Sequence, residues 1–273
     1  MNLEDHLGDI LRKARKRAGV TLENAAHAGK LSAEQLGSIE DSGVLAHRPD
    51  FKSLGPLLRL DSDKLNSLAA GWEPAAKDLG RWRELRVITT ARDGMAVNAY
   101  LAWDEVTREA ALFDTGWEAE PIIEIIARER LQLRYLFLTH THEDHVIALP
   151  DLVRHFPKVM LRQSTKSAPP QHRNRANDCL QLGSLRITNR ETPGHADDGV
   201  IYLIGNWPED APHVAIIGDT IFAGTMANGF ISWPSLEAGV RQNILTLPDA
   251  TLLCPGHGPL TTVAEEKAHN PFL

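Results

Sequence analysis

Residues 139–145 of the chain read T-H-T-H-E-D-H, a run that holds four potential metal ligands within six positions. A strand-like apolar segment precedes this run and a helical segment follows it. A straight helix or strand cannot turn four such side chains towards one point, whereas a tight turn at a strand end can. Imidazole nitrogens with an aspartate oxygen suit Zn(II), Fe(II) or Mn(II). The run therefore predicts a metal site where a strand ends.

Three later motifs share this setting, because each places a histidine or an aspartate directly after a glycine near the end of a predicted strand. They are P-G-H with His195, G-D-T with Asp219, and P-G-H-G-P with His257. Glycine lets the backbone turn sharply and lets a metal approach closely. We therefore expect four loops at one rim of the fold to bring seven ligands together. These are His140, His142, Asp144, His145, His195, Asp219 and His257.

The first 70 or so residues show helical periodicity and no strand signal. Five short helices are predicted, because helix-ending and helix-capping residues recur between the apolar stripes. Gly19 closes the first helix and Thr21 caps the second, while Ser32 has the capping-box spacing to Gln35. Asp50 starts the fourth helix, and Asp61 or the serine after it starts the fifth. We expect a small all-α domain over residues 1–71.

The segment G-W-E-P-A-A at 71–76 interrupts this periodicity, and we take residues 72–84 as a linker. Beyond it, predicted strands cover 85–90, 97–103, 110–113, 133–138, 159–161, 185–188, 200–204, 214–217 and 251–254. Predicted helices cover 118–130, 144–156 and 236–247. Adjacent strands alternate with βα units, which indicates two sheets sandwiched by helices rather than one doubly wound sheet. Residues 85–273 are thus predicted to form one α/β domain.

The composition indicates the cellular compartment of the protein and the kinds of partner it can bind. The two cysteines are too few for a disulfide framework, and no run of 18 apolar residues could span a membrane. The N-terminus is charged and lacks the apolar core of a secretory signal. We therefore expect a cytoplasmic protein. The net charge of −7 argues against broad nucleic-acid binding by the whole chain.

The ligand motifs in this order resemble those of the metallo-β-lactamase superfamily, above all its glyoxalase II-like (hydroxyacylglutathione hydrolase-like) branch. The intervals also resemble that branch, with 50 residues from His145 to His195, 24 more to Asp219 and 38 more to His257. The ending G-P-L-T-T…E-E…H-N-P-F-L is similar to its short bacterial members. The resemblance covers about residues 85–273. It implies an α/β fold, the αββα metallo-β-lactamase sandwich, preceded here by the small all-α domain.

The resemblance also implies two divalent metal ions, with zinc expected and iron or manganese as alternatives. It assigns the first metal to His140, His142 and His195, the second to Asp144, His145 and His257, and the bridging position to Asp219. Asp114, in F-D-T-G, resembles a family position that orients a ligand histidine through its ring N–H. An ordinary turn aspartate is the alternative for Asp114.

The resemblance implies that the protein is a metal-dependent hydrolase. Two metals 3.5–4 Å apart can share a hydroxide that attacks a carbonyl, since each lowers the pKa of bound water to about 7. Asp144 and Asp219 are the expected catalytic carboxylates, and Asp144 could also shuttle a proton. No obvious general acid, which would protonate the leaving group, lies beside these motifs in the sequence. A thiolate leaves more readily than an amine, because the thiol pKa is about 8.5, so a thioester or related ester is the expected substrate.

One departure from the family concerns the substrate. Glyoxalase II-like enzymes grip the glutathione carboxylates with lysine or arginine beyond G-D-T, but residues 221–234 contain neither. The absence of these residues leaves open whether the substrate contains glutathione, and it favours a less anionic thioester or ester. Lactonases and phosphodiesterases of the superfamily share the ligand set. The sequence is also compatible with a mononuclear iron enzyme of the persulfide dioxygenase type and with a ligand-sensing DNA-binding regulator.

Residues 7–70 resemble the Cro/repressor-type helix-turn-helix domain, through L-G-D-I-L-R-K-A-R-K-R-A-G-V-T-L-E-N-A-A and L-S-A-E-Q-L-G-S-I-E. In that family the helix starting near Ser32 enters the major groove of DNA. Residues 32–43 contain no lysine or arginine here, and residues 1–75 hold ten basic against eleven acidic residues. Because phosphate neutralisation supplies most nonspecific DNA affinity, we expect this domain to form a homodimer or dock a partner rather than bind DNA.

Overall fold

The N-terminal module consists of five short helices. The computed structural model describes residues 3–175 and 178–273 of the chain. The helices are α1 Leu7–Ala18, α2 Leu22–Ala28, α3 Ala33–Ser42, α4 Phe51–Leu57 and α5 Ser62–Ala69. Thr21, Ser32, Asp50 and Asp61 cap helices α2 to α5 through their side-chain oxygens, and Gly19 ends α1 at φ 66°. The five predicted helices are confirmed.

The rest of the chain, which we term the sandwich domain, is built on two sheets. Its strands are β1 Leu85–Arg92, β2 Met95–Trp103, β3 Glu109–Phe113, β4 Gln132–Phe137, β5 Met160–Arg162, β6 Cys179–Leu182, β7 Leu185–Glu191, β8 Val200–Gly205, β9 Val214–Gly218, β10 Ile221–Phe222, β11 Thr225–Met226, β12 Leu252–Pro255 and β13 Thr261–Thr262. One sheet has the order β1-β2-β3-β4-β5 and the other the order β13-β12-β9-β8-β7-β6. Strands β10 and β11 form a separate small hairpin.

The helices of the sandwich domain are α6 Glu120–Arg128, α7 Glu143–Val146, α8 Leu149–His155, α9 Trp233–Gly239 and α10 Val263–His269. The prediction of one helix over 144–156 was wrong, because the structure divides this stretch into α7 and α8. Pro150 lies at the start of α8 and has no N–H to donate to the carbonyl of Val146. The helix predicted over 236–247 begins earlier, with α9, and continues as a π-helix over Val240–Ile244.

Three apolar clusters define the layers. Between the two sheets, the rings of Phe113 and Phe137 stack 5.0 Å apart, and Tyr202 of the facing sheet tilts against both. Ile122 of α6 and Leu152 of α8 are buried with the outer face of the first sheet. The outer face of the second sheet is buried under α9, α10 and the N-terminal module. The αββα sandwich preceded by a helical region is therefore confirmed.

The N-terminal module shares a continuous core with the sandwich domain. The backbone N–H of Asp61 donates to the carbonyl of Pro271 over 2.9 Å, and the Lys64 ammonium donates to the carbonyl of Leu273. Within the stretch predicted to be a linker, Trp72 stacks on His269 with ring centroids 4.5 Å apart. The module is thus packed on the sandwich domain rather than tethered to it. No helix in the described part of the chain is long and apolar enough to cross a membrane.

Candidate metal centre

Four loops at one rim of the sandwich bring the seven predicted ligands together. The run holding His140, His142, Asp144 and His145 leaves β4 and enters α7, and Asp219 directly follows β9. The loop after β7 carries His195, and the turn after β12 carries His257. His145 is fully buried, and His140, His195 and His257 are each no more than 8% exposed. The side chains therefore face the interior of one site.

Three histidines form one half of the site. Nδ1 of His142 lies 3.1 Å from Nε2 of His140 and 3.0 Å from Nε2 of His195. Burial lowers the pKa of His140 and of His195, so both rings are kept neutral. Neutral imidazole nitrogens turned towards one another are the donor set of a cation such as zinc.

The other half combines imidazoles with carboxylates. Nε2 of His257 lies 3.2 Å from Oδ2 of Asp144, and Nε2 of His145 lies 3.7 Å from the same oxygen. Oδ1 of Asp219 is 3.4 Å from Nε2 of His145, while its Oδ2 is 3.4 Å from Nε2 of both His195 and His257. Asp219 therefore lies between the two halves.

Unpaired buried atoms support the assignment of a metal site. Nε2 of His145 and Oδ1 of Asp219 are buried and have no hydrogen-bond partner among the described residues. A buried polar atom without a partner costs about 1–3 kcal/mol, and a bound cation removes that cost. Ligand atoms group in threes within 4.8 Å of one another, as His140/His142/His195, His140/His145/Asp219 and Asp144/His145/His257. The residues therefore fit divalent metal ions.

The charge around these ligands is negative. The pKa of His145 rises to about 10: burial opposes the charged ring, but the carboxylates of Asp114 and Asp219 outweigh it. The pKa of His257 rises to about 11, because the bonds to Asp144 and Asp219 exceed the effect of burial. The pKa of Asp219 falls well below its usual value despite burial, because His145 and His257 face it. Such a site attracts positive charge.

In His145, His195 and His257, the orientation of the ring is set by an acceptor that lies close to Nδ1, so that Nε2 faces into the site. Nδ1 of His145 lies 2.9 Å from Oδ2 of Asp114, a carboxylate that also accepts bonds from Thr139. Nδ1 of His195 lies 2.9 Å from the carbonyl of Asn228, and Nδ1 of His257 lies 2.6 Å from that of Ala96. These acceptors fix the orientation of the rings. The sequence drew attention to Asp114 but not to the two carbonyls.

The glycines before the ligands are required by close packing. A Cβ on Gly194, whose φ is 139°, would lie 2.4 Å from the backbone nitrogen of Leu236. A Cβ on Gly256 would lie 2.2 Å from Oδ1 of Asp219 and 2.7 Å from Cε1 of His145. Because these contacts are too short for any side chain, the ligands approach one another only over a bare backbone.

A cavity of about 310 Å³ opens onto the site. Five of the converging side chains line it: His142, Asp144, His195, Asp219 and His257. The sandwich domain adds Met95, Phe222, Asn228 and Phe230, and the N-terminal module adds Glu4, Asp5 and Lys13. Phe230 is 68% exposed and Met95 is 52% exposed, so the rim is partly apolar. Sequence reasoning missed the three module residues, because no motif marks them.

Comparison with known proteins agrees with this geometry. The family model described as the metallo-beta-lactamase superfamily matches residues 92–173. The hydroxyacylglutathione hydrolase GloC of Haemophilus influenzae is 30% identical over 201 residues, which cover 64% of this chain and 92% of that protein. The chain therefore belongs to the metallo-β-lactamase superfamily. At the family level it is a metal-dependent hydrolase that binds divalent metal ions.

Two solved structures are similar in fold. ETHE1 from Myxococcus xanthus is 29% identical with a TM-score of 0.59, over 68% of this chain and 83% of that one. TTHA1623, solved in a di-iron-bound form, is 26% identical with a TM-score of 0.55, over 68% of this chain and all of that one. The fold is thus found with a pair of iron ions.

Proposed function

We propose that the protein is a dinuclear metal-dependent hydrolase that cleaves a thioester or a related ester. The observation that carries this proposal is the convergence of seven imidazole and carboxylate groups, two of which hold a buried atom with no hydrogen-bond partner among the described residues. The similarity to a hydroxyacylglutathione hydrolase supports the choice of an acyl thioester as substrate class.

The proposed ligands divide into two sets that share one carboxylate. His140, His142 and His195 would hold one ion, Asp144, His145 and His257 would hold the other, and Asp219 would contribute to both. When bound, two such ions activate water and polarise a substrate carbonyl. Zinc is our first choice, with iron or manganese as alternatives.

The chain's own residues orient and enclose the reacting groups. Asp114 and the carbonyls of Ala96 and Asn228 keep three Nε2 atoms turned inward. Asp144 lies at the cavity wall and is the carboxylate best placed to accept a proton from an attacking water. Phe230 and Met95 offer an apolar surface at the rim for the organic part of a substrate.

A metal titration combined with a substrate screen tests the proposal. The protein is loaded with zinc, iron or manganese, and metal content is measured after dialysis. Lactoylglutathione, acyl-CoA thioesters, lactones and phosphodiesters are then assayed. We expect two ions per chain and thioester hydrolysis that Asp219→Asn abolishes. Turnover of phosphodiesters alone, or one ion per chain, would contradict the proposal.

The likeness to ETHE1 favours a second candidate, a mononuclear iron enzyme of the persulfide dioxygenase type. That reaction consumes oxygen and needs only one metal. Oxygen uptake with a persulfide substrate, at one iron per chain, would establish it. The full set of seven converging groups is our reason for preferring two metals, because one ion leaves part of the set without a role.

The basic run of the N-terminal module at residues 12–17 is largely engaged in ion pairs, which leaves less of its charge for DNA. Arg12 pairs with Asp9 and Asp41, Arg15 with Glu40, and Arg17 with Glu237. Neutralised side chains contribute little to phosphate binding. We therefore retain partner docking or homodimerisation as the proposed role of a helix-turn-helix-like module, with light scattering as its test. Tight, salt-dependent binding of DNA would support the regulator hypothesis instead.

A further inference from the structure

The N-terminal module closes one side of the metal-site cavity. The Lys13 ammonium, on α1, donates to the carbonyl of Met226 over 2.7 Å. Oδ2 of Asp5 accepts a 2.8 Å bond from the hydroxyl of Thr225. Both partners belong to β11 of the sandwich domain, so the start of the module is fixed beside the loops that carry the ligands.

The charges on this wall leave one negative group facing the cavity. Lys13 and Asp5 pair with each other at 2.5 Å, and their side chains are only 7% and 15% exposed, so each neutralises the other. Glu4 forms no ion pair with a described residue. It is exposed and lines the cavity. The N-terminal wall therefore presents the carboxylate of Glu4.

Glu4 lies against the turn that follows a proposed ligand. A Cβ on Gly258 would lie 3.1 Å from the backbone nitrogen of Glu4 and 3.3 Å from its Cβ. The backbone of Glu4 is thus fixed beside the turn after His257, and Glu4 lines the same cavity as the proposed ligands.

Among the described residues that line the wall opposite Glu4, no lysine or arginine offsets this charge. Residues 221–234, which include Phe222, Asn228 and Phe230 of the cavity lining, contain no lysine or arginine. Phe230 instead offers an exposed ring face, and an aromatic face attracts a cation. A carboxylate on one side and an aromatic ring on another form a surface suited to an ammonium group.

We propose that the N-terminal module sets substrate choice, with Glu4 selecting acyl thioesters whose thiol part carries a cationic group and excluding thiols that carry carboxylates. This inference rests on the proposed function, because it concerns the same cavity. Glu4 acts by attraction and repulsion in the bound complex, so it changes substrate affinity and KM more than kcat.

Binding of charged thiols to the zinc-loaded, full-length protein tests the proposal without requiring turnover. Thiocholine carries a quaternary ammonium group, and 3-mercaptopropionate carries a carboxylate. Calorimetry at pH 8 gives the ratio of their Kd values in the wild type, Glu4→Gln and Glu4→Lys. Glu23→Gln removes an exposed carboxylate from α2 of the same module and is the matched control.

We expect Glu4→Gln to shift the ratio towards 3-mercaptopropionate by about twofold to about 25-fold, since an exposed charge pair is worth about 1.4-fold to about fivefold for each ligand. Glu4→Lys shifts it further, and Glu23→Gln leaves it unchanged. An equal ratio in the wild type and Glu4→Lys would overturn the inference.

Hydrolysis of acetylthiocholine, of S-acetyl-N-acetylcysteamine and of S-acetyl-3-mercaptopropionate is measured separately. The wild type should show its lowest KM for the cationic thioester, and Glu4→Lys for the anionic one. A binding preference that depends on Glu4, found without hydrolysis of any thioester, would reject the proposed function while supporting the role of Glu4.

Discussion

Replacing Gly256 by alanine should dismantle the metal centre while leaving the fold in place. The added Cβ would lie 2.2 Å from Oδ1 of Asp219 and 2.7 Å from Cε1 of His145. Both neighbours are proposed ligands, and both are buried beneath the rim. Relief of the clash must therefore displace a ligand.

The size of the effect follows from this distance. Contacts between a carbon and an oxygen need more than about 3 Å, so the Asp219 carboxylate must retreat by about 1 Å. Metal–ligand distances tolerate only about 0.2 Å. Loss of an orienting partner alone costs about 10- to 100-fold in metal affinity, and we expect at least about 100-fold here.

Metal affinity is measured by chelator competition, and the metal retained after dialysis is counted. Gly37→Ala is the matched control, because its Cβ would meet only Cδ2 of Leu22, at 3.8 Å, and lies within α3. That variant should bind metal normally and unfold at the same or a slightly higher temperature. Undiminished metal affinity in Gly256→Ala would refute the reasoning.

Three further predictions concern groups around the centre. Asp114→Asn removes the charged acceptor behind the ring of His145, so metal affinity should fall about 10- to 100-fold in chelator competition, and unchanged affinity would contradict that role. Lys13→Met leaves the partly buried carboxylate of Asp5 without its counter-ion, and urea unfolding should show a loss of about 3 kcal/mol that the exposed control Lys16→Met does not share. Burial raises the pKa of Glu266 to about 7 from 4.5, so the folded state keeps its proton longer than the unfolded chain. The resulting stability is complete below pH 4.5 and is lost as the pH rises to 7. The wild type should lose about 3 kcal/mol over that range, and Glu266→Gln should not; parallel pH curves would be inconsistent with this account.

These predictions depend on the packing of the N-terminal module against the sandwich domain. Arg17 extends from α1 to pair with Glu237 at 3.1 Å, and its guanidinium lies 5.1 Å from the ring centroid of Phe272. Since ligand loops and module share one apolar core, changes in either part are expected to affect the other. Homodimerisation through the module stays a prediction.

Most of the element order and the side chains that converge at the candidate metal centre could be predicted from the sequence for physical reasons. Helix caps and apolar periodicity are local properties, so the five N-terminal helices were predicted within a few residues. Metal ligands come from few residue types and follow strand ends, which made the histidine and aspartate motifs conspicuous. The two-residue strands β10, β11 and β13 were missed, because so short a segment has no periodicity. The break at Pro150 was overlooked, although proline signals it locally.

The sequence alone thus determined which side chains are available and which local structure carries each of them. Which of those side chains share a cavity was decided only in three dimensions. The carbonyls of Ala96 and Asn228 orient ligand rings, but every residue has a carbonyl, so no letter of the sequence marks them. Glu4 reaches the metal site from some 250 positions before His257, because burial of apolar surface between module and sandwich brings them together. Such long-range packing depends on the whole core rather than on any local pattern.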